Sequence, residues 1–123
     1  MTGGQHHGSC HCGAVAFEVI LSAGLTTARR CNCSYCSRRG TIAVTARVGD
    51  LAITKGADHV RTYQWNTKVA KHWFCPTCGI STHHQRRSNP NEFGVNAACL
   101  DGVKVWEMGQ VVWTDRRNHS KDR

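Results

Sequence analysis

The sequence predicts a single all-β domain, and two observations support that class. Short runs of strand-forming residues recur along the chain, and turn signals that contain Gly, Pro, Asn or Asp separate many of them. No window carries an apolar stripe of helical period over three turns, and at most the stretch SYCSRR makes one turn. The length of 123 residues suits one domain, which we expect to span residues 8–115, with flexible termini at 1–7 and 116–123.

The expected elements follow in chain order. Two runs, AVAFEVI (14–20) and TIAVTARV (41–48), alternate between apolar and polar residues, which predicts strands with one buried face. Shorter runs predict six further strands, at residues 51–54, 60–65, 71–74, 81–86, 92–100 and 104–113. Turns are expected at Val48-Gly49-Asp50, Lys55-Gly56-Ala57, Asn89-Pro90-Asn91 and Asp101-Gly102. The stretch SYCSRR (34–39) predicts about one helical turn.

The charge balance is basic, with 16 Lys and Arg against 8 Asp and Glu, a formal net charge of +8. The basic residues come as scattered pairs without a long run, which favours a basic surface or attraction of a small anionic substrate over nucleic-acid binding. No apolar run approaches the ~18 residues of a membrane span, and no secretory leader is apparent. We therefore expect a cytoplasmic protein that makes no membrane contact; the sequence specifies no oligomeric state.

Eight cysteines dominate the chemistry of the chain, and in a reducing compartment such clusters more often hold metal than form disulfides. Cys10 and Cys12 lie on one face of an extended segment, and a disulfide between them would be strained. Cys75-Pro-Thr-Cys78 forms a tight turn that aims two sulfurs at one ion. Two such pairs make a closed four-thiolate site. The alternative, a redox-active Cys75–Cys78 pair, normally needs a βαβ context that the sequence lacks.

The remaining group, Cys31, Cys33 and Cys36, supplies three thiolates and leaves one zinc position for another ligand. Cys99 stands in the apolar stretch VNAACL, where a lone cysteine is usually a small core residue. The fourth ligand is therefore expected to be water or an incoming thiol. An alternative grouping stays open, in which one of the two cysteine pairs binds metal together with the triple. The other pair is then left without partners.

Other side chains near these groups are candidates for binding and proton transfer. Arg38 and Arg39 follow the triple directly and can pair with the carboxylates of a small anionic thiol. The candidate acid–base groups or spare ligands are His72, His83 and His84, of which the adjacent pair should point to opposite faces of a strand. The four tryptophans are expected to cover the core or the sheet: Trp65, Trp73, Trp106 and Trp113.

Four motifs carry a resemblance to a known family. GSCHCGAVAFEV, CNCSYCSRRG, FCPTCG and GVNAACLDG follow one another in the order and spacing of the glutathione-dependent formaldehyde-activating enzyme family, whose domain is also named for centromere protein V. The chain resembles that family over residues 8–102. The resemblance implies an all-β, Mss4-like fold of short antiparallel sheets with two zinc sites. It assigns the structural zinc to Cys10, Cys12, Cys75 and Cys78, and the second zinc to Cys31, Cys33 and Cys36.

The resemblance also implies an activity. The family's namesake reaction joins glutathione and formaldehyde into S-(hydroxymethyl)glutathione, which is a carbon–sulfur lyase reaction run in reverse. It makes Cys31, Cys33 and Cys36 the catalytic group, zinc the cofactor and a small thiol such as glutathione the partner. Two other classes stay open at this point. One is a non-catalytic, zinc-stabilised module that binds nucleic acid or protein, and the other is a buffer of metal or thiol stress.

Overall fold

Nine strands and one short helix are present in the computed structural model, which describes residues 5–64, 70–86 and 89–115. The strands are β1 (Gln5–Ser9), β2 (Ala16–Leu21), β3 (Arg29–Cys31), β4 (Ala43–Lys55), β5 (Arg61–Tyr63), β6 (Lys71–Phe74), β7 (Ser81–Gln85), β8 (Glu92–Asn96) and β9 (Val112–Thr114). The helix α1 spans Ser34–Arg39, and two 3₁₀ turns span Ala97–Cys99 and Val105–Glu107. The prediction of an all-β fold is confirmed.

The described strands form one sheet in the order β1-β2-β4-β8-β7-β6-β5, rather than several short sheets. Neighbours along this path are antiparallel, and β3 joins β4 at one residue pair while pairing with β9 in parallel. The two hairpins β1–β2 and β6–β7 therefore lie on opposite sides of the central β4–β8 pair. No helix among the described residues is long and apolar enough to cross a membrane.

The sheet is strongly curled. On a flat sheet, β2 and β7 would lie about 14 Å apart, since three steps of about 4.8 Å separate them. The rings of Phe17 in β2 and His83 in β7 nevertheless have centroids only 6.4 Å apart. The outer edge of β1 is also covered, because Gly8 bridges to Leu100 and the Asp101 amide donates to the His7 carbonyl at 2.8 Å. Curling thus brings the two hairpins together over a shared interior.

The interior is an apolar core built mainly from β2, β4 and β8. In β2 every second residue is buried, as the alternation in the sequence predicts. The buried members of the core are Phe17, Val19, Leu21, Ile42, Val44, Ala46, Val95, Ala97, Cys99 and Leu100. Each large apolar side chain buried in this way stabilises the fold by about 1.5–3 kcal/mol.

Two predicted strands, 41–48 and 51–54, are one long strand, β4. The turn expected at Val48-Gly49-Asp50 is instead an irregularity in the pairing with β2. There Val19 pairs with Leu51 while Leu21 pairs with Ala46, so residues of β4 bulge out of register. A glycine inside a strand often marks such a bulge, which explains why the sequence signal was misread.

The start of the chain and two strand boundaries also need correction. Gln5–His7 belong to β1 and pair with β2, so they are not part of a flexible terminus. The predicted strand 92–100 ends at Asn96, because the Asn96 side chain accepts from the Ala98 amide and caps a 3₁₀ turn. Of the predicted strand 104–113, most is irregular, and β9 begins only at Val112. The predicted tail 116–123 lies outside the described residues.

Gly56 provides a test of the turn that follows β4. Its φ is +77°, and a Cβ atom there would lie 2.2 Å from the Ala14 carbonyl oxygen, on the loop that carries the first cysteine pair. We expect Gly56→Ala to lower the free energy of unfolding by about 1–3 kcal/mol, since it adds backbone strain and a clash. Gly49→Ala is the matched control, because a Cβ at Gly49 meets nothing within 4 Å. Urea titration of both variants measures the effect, and equal stability of Gly56→Ala and wild type would contradict it.

Candidate metal centres

The first cysteine group joins the two hairpins. Cys10 and Cys12 lie in the β1–β2 connection, and Cys75 and Cys78 lie in the β6–β7 connection. The four Sγ atoms all lie within 4.8 Å of one another. Two of the separations, Cys10 to Cys12 and Cys12 to Cys75, are 3.7 Å. Residues more than sixty positions apart therefore converge on one point, as the pairing of the motifs predicts.

The two loops present their sulfurs through similar backbone geometry. The Cys10 amide donates to the Val15 carbonyl, and the Cys75 amide donates to the Ile80 carbonyl, each at 3.0 Å across five residues. In the second loop, Gly79 has a φ of +78° and its amide donates to the Cys75 carbonyl at 2.7 Å. A residue with a Cβ is strained at that φ, which is why glycine follows the cysteine pair. Each loop is a compact turn that holds its cysteines in place.

The four sulfurs fit a zinc ion. A tetrahedral ion with Zn–S distances of about 2.3 Å sets sulfurs about 3.8 Å apart, which agrees with the 3.7 Å separations. All eight cysteines, each within the described ranges, are free thiols. Cys10 and Cys75 are buried, and the set has no room in its coordination for a further ligand. The first group thus has the chemistry of a closed, structural metal site.

The second group is local in sequence and built around α1. Cys31 ends β3, Cys33 is the N-cap of α1, and Cys36 lies in its first turn. The three Sγ atoms lie within 4.8 Å of one another. The Cys33 sulfur accepts a hydrogen bond from the Cys36 amide at 3.3 Å and so caps the helix. The same hydrogen bond holds the Cys33 sulfur close to residue 36.

The electrostatics of this group set Cys33 apart from Cys31 and Cys36. Hydrogen bonds from the Cys31 and Cys36 thiols hold the pKa of Cys33 well below its ordinary value. The pKa of Cys31 is raised, because its thiol keeps its proton in a hydrogen bond to Cys33. The pKa of Cys36 is also raised, because its thiol keeps its proton in a hydrogen bond to Cys31. A divalent cation can displace both protons and bind all three sulfurs.

The described residues add no fourth ligand to this second group. Cys99 is a buried core residue, as predicted, and its thiol lies 3.5 Å from the Ser81 carbonyl oxygen. Burial, followed by the charges of Cys10 and Cys78, raises the pKa of Cys99 to about 12. No histidine within the described ranges has a ring nitrogen that joins the three sulfurs within 4.8 Å.

The histidines lie on two faces of the sheet, as expected for adjacent strand residues. His72 packs against Tyr35 of α1 with ring centroids 4.5 Å apart, and His84 stacks on His72 at 5.2 Å. His83 points to the opposite face and stacks on Trp73 at 4.6 Å. His72 is only 4% exposed. Its pKa is lowered to about 4, mainly by burial and to a smaller extent by the positive charge of Arg39. His72 is therefore a neutral neighbour of the second group.

The two predicted substrate-binding arginines point in different directions. Arg38 is exposed, and its Nη1 donates to the Ser34 carbonyl at 2.6 Å within the helix. Arg39 turns inward, where its Nη1 donates to Ser81 Oγ at 2.5 Å and its Nη2 donates to Cys36 Sγ at 3.4 Å. No pattern in the sequence indicates this contact between Arg39 and the Cys36 sulfur. A role in substrate binding stays a prediction for both residues.

The tryptophans differ from expectation. Trp106 is 77% exposed and Trp113 is 56% exposed, so neither covers the core. Trp113 lies on β9, which pairs with β3 at the margin of the sheet, and the Arg30 guanidinium carbon lies 5.7 Å from its ring centroid. Trp73 is half-buried and does cover part of the sheet. Trp65 lies outside the described residues.

The fold and the two sites define a small all-β protein with two cysteine groups able to bind metal, one closed and one with three ligands. The profile of the family described as glutathione-dependent formaldehyde-activating enzyme matches residues 5–116, and the chain belongs to this family. A crystal structure of a Rhodobacter sphaeroides protein is similar at 59% identity, with a TM-score of 0.86 over 88% of this chain and 99% of that one.

A curated relative is similar over a shorter segment. It is a protein of Halomonas elongata with the provisional name glutathione-dependent formaldehyde-activating enzyme. The identity is 35% over an alignment of 79 residues, and the match covers 58% of this chain and 50% of the relative. The match therefore spans about half the length of that relative.

The different roles of the two groups can be tested by substitution. Cys75→Ser should leave the chain largely unfolded, since a structural zinc site contributes about 10–16 kcal/mol of binding free energy to folding. Cys33→Ser should keep the fold and lose about one zinc per chain, because the second group lies on a local turn. Cys99→Ala is the control and should keep the zinc content of wild type. Elemental analysis and thermal melts measure these outcomes, and equal destabilisation by both serine variants would contradict the distinction.

Proposed function

We propose that this protein is a zinc-dependent enzyme of the carbon–sulfur lyase type. It joins glutathione, or another small thiol, to formaldehyde or a related carbonyl and cleaves the adduct in reverse. The observation that carries the proposal is the second cysteine group, which gathers three sulfurs and receives no fourth ligand from the described residues. Membership of the formaldehyde-activating family supports the choice of substrates.

The reaction sets clear demands on the site. The thiol gives up its proton, its sulfur bonds to the carbonyl carbon, the C=O π bond breaks and the oxygen receives a proton. Cys31, Cys33 and Cys36 would hold a zinc ion. When bound with an open position, such an ion lowers the pKa of a thiol that joins it and favours the thiolate near neutral pH. The remaining demands, orientation and proton supply, fall to the side chains of the chain itself.

Side chains around the group suit those demands. Tyr35 lies between Cys33 and Cys36 in sequence, and its ring contacts Tyr63 at 5.1 Å and His72 at 4.5 Å. These rings pack against one another beside the cysteines. Burial raises the pKa of the Tyr35 hydroxyl, so it stays protonated at neutral pH and can donate a proton. The packed rings thus include a candidate proton donor beside the cysteines.

Charge favours an anionic thiol. Glutathione carries two carboxylates, and the chain has a formal net charge of +8. Arg38 stands exposed on α1 beside the cysteines, and within the described ranges only its Nη1 bonds to the chain, so its other donors can reach a carboxylate. Arg38 is therefore the proposed anchor for the thiol's carboxylate end.

A second candidate is non-catalytic binding of nucleic acid. It is favoured by the exposed ring of Trp113 with the Arg30 guanidinium 5.7 Å from its centroid, because aromatic and Arg pairs stack on bases. Retention on immobilised single-stranded nucleic acid that falls steeply with salt, in a protein that does not respond to thiols, would favour this candidate over the enzyme.

Thiol binding can be followed with cobalt in place of zinc. Reduced glutathione should change the ligand-field spectrum of the wild-type protein but not that of Cys33→Ser. S-methylglutathione, which keeps both carboxylates but lacks the thiol, should leave the spectrum unchanged. Arg38→Ala should weaken the titration about 2- to 5-fold, since an exposed ion pair contributes at most about 1 kcal/mol. A wild-type spectrum that no thiol alters would contradict the proposal.

A further inference from the structure

Arg39 contacts both the second cysteine group and the strand that follows the first one. It ends α1 three positions after Cys36, so the two side chains lie on the same face of the helix. Its Nη2 donates to the Cys36 sulfur at 3.4 Å. Arg38, one position earlier, points away and stays exposed. Two adjacent residues of the same type therefore have different environments.

The Arg39 guanidinium is fixed from three directions. One donor bonds to Ser81 Oγ at 2.5 Å, another bonds to Cys36 Sγ, and Cζ lies 4.8 Å from the centroid of the Tyr35 ring. The guanidinium is planar and its donors form a rigid fork, so these contacts set its orientation as well as its position. Its Nε is buried and has no hydrogen-bond partner among the described residues. These contacts are typical of an arginine side chain held in one conformation and not of a mobile surface arginine.

Ser81 is itself anchored. Its hydroxyl donates to the Trp73 carbonyl at 3.4 Å, and its carbonyl accepts from Asn96 Nδ2 at 2.8 Å and from the Cys99 thiol. It begins β7, three residues after Cys78 of the first group. The position of the guanidinium therefore depends on the rigid part of the sheet, whereas the sulfur that it contacts belongs to the short helix.

We infer that Arg39 is a positioning residue that tunes the metal affinity and electron donation of the Cys36 sulfur. Three thiolates around a divalent ion leave one net negative charge, and a fourth thiolate would leave two. A guanidinium beside one sulfur offsets that charge and forms a charge-assisted hydrogen bond with it. Such a bond reduces electron donation from the sulfur, which keeps the open position receptive to a further anionic ligand. The inference rests on the proposed metal site but not on the identity of the thiol.

This role differs from the one that the sequence suggests. The motif places both arginines beside the cysteines, where both are candidates for substrate carboxylates. The contacts of the two arginines indicate different roles. Arg38 remains exposed and can bind the substrate, whereas Arg39 donates hydrogen bonds to Ser81 and Cys36. The conservative variant Arg39→Lys keeps the charge but cannot hold both partners in one plane.

Cadmium-113 NMR of the metal-loaded full chain tests the inference without added thiol. The two cysteine groups should give two cadmium resonances. Arg39→Gln should shift the resonance of the second site and leave that of the first, because only Cys36 loses a hydrogen bond. Arg38→Gln, the matched neighbour, should shift neither. Competition with a chelator should show zinc at the second site held about 10- to 100-fold more weakly in Arg39→Gln, with Arg39→Lys in between.

If these variants fold poorly, a measurement on the wild-type protein tests the role of Arg39 directly. Protein with ¹⁵N-labelled arginine and bound cadmium-113 should show a coupling across the N–H···S bond between an Arg39 Nη proton and the cadmium of the second site. Absence of that coupling, or an Arg39→Gln resonance identical to wild type, would overturn the role of Arg39. A second site that binds no cadmium in wild type would instead overturn the proposed metal site on which the role rests.

Discussion

The convergence of Cys10 and Cys12 with Cys75 and Cys78 is the constraint on which the rest of the structure depends. These pairs lie at the ends of two hairpins that the strand order sets on opposite sides of β4 and β8. Their sulfurs can lie within 4.8 Å only because the sheet curls, and the curl encloses the apolar core. A metal ion at this point would therefore close the fold, which suits a small domain with a modest core.

The second group follows a different principle. Its three sulfurs come from six consecutive residues and are gathered by one capping turn, so the group does not hold distant parts of the chain together. It is connected to the sheet by the hydrogen bond between Arg39 and Ser81. The packed rings of Tyr35 and the neutral His72 lie beside it. A site with three ligands and a fixed positive charge beside one of them is suited to exchange of a fourth ligand.

Much of this arrangement could be predicted from residue spacing. Two cysteine pairs with one or two intervening residues indicated the first group, the cysteine triple indicated the second, and the prediction that Cys99 lies in the core is confirmed. The direction of a side chain at the end of a six-residue helix could not be predicted, because Arg38 and Arg39 are identical in type. The bulge in β4 and the exposure of Trp106 also depend on tertiary pairing, which local patterns of Gly49 or aromatic residues do not encode.

We propose that the chain holds two metal ions in unlike sulfur environments. Zinc X-ray absorption on the purified protein measures the mean number of sulfurs per ion directly. We expect a value midway between three and four, with a lighter atom completing the average shell, and a rise to four when glutathione is added. A value of four before any thiol is added, or a value that glutathione does not change, would contradict the account.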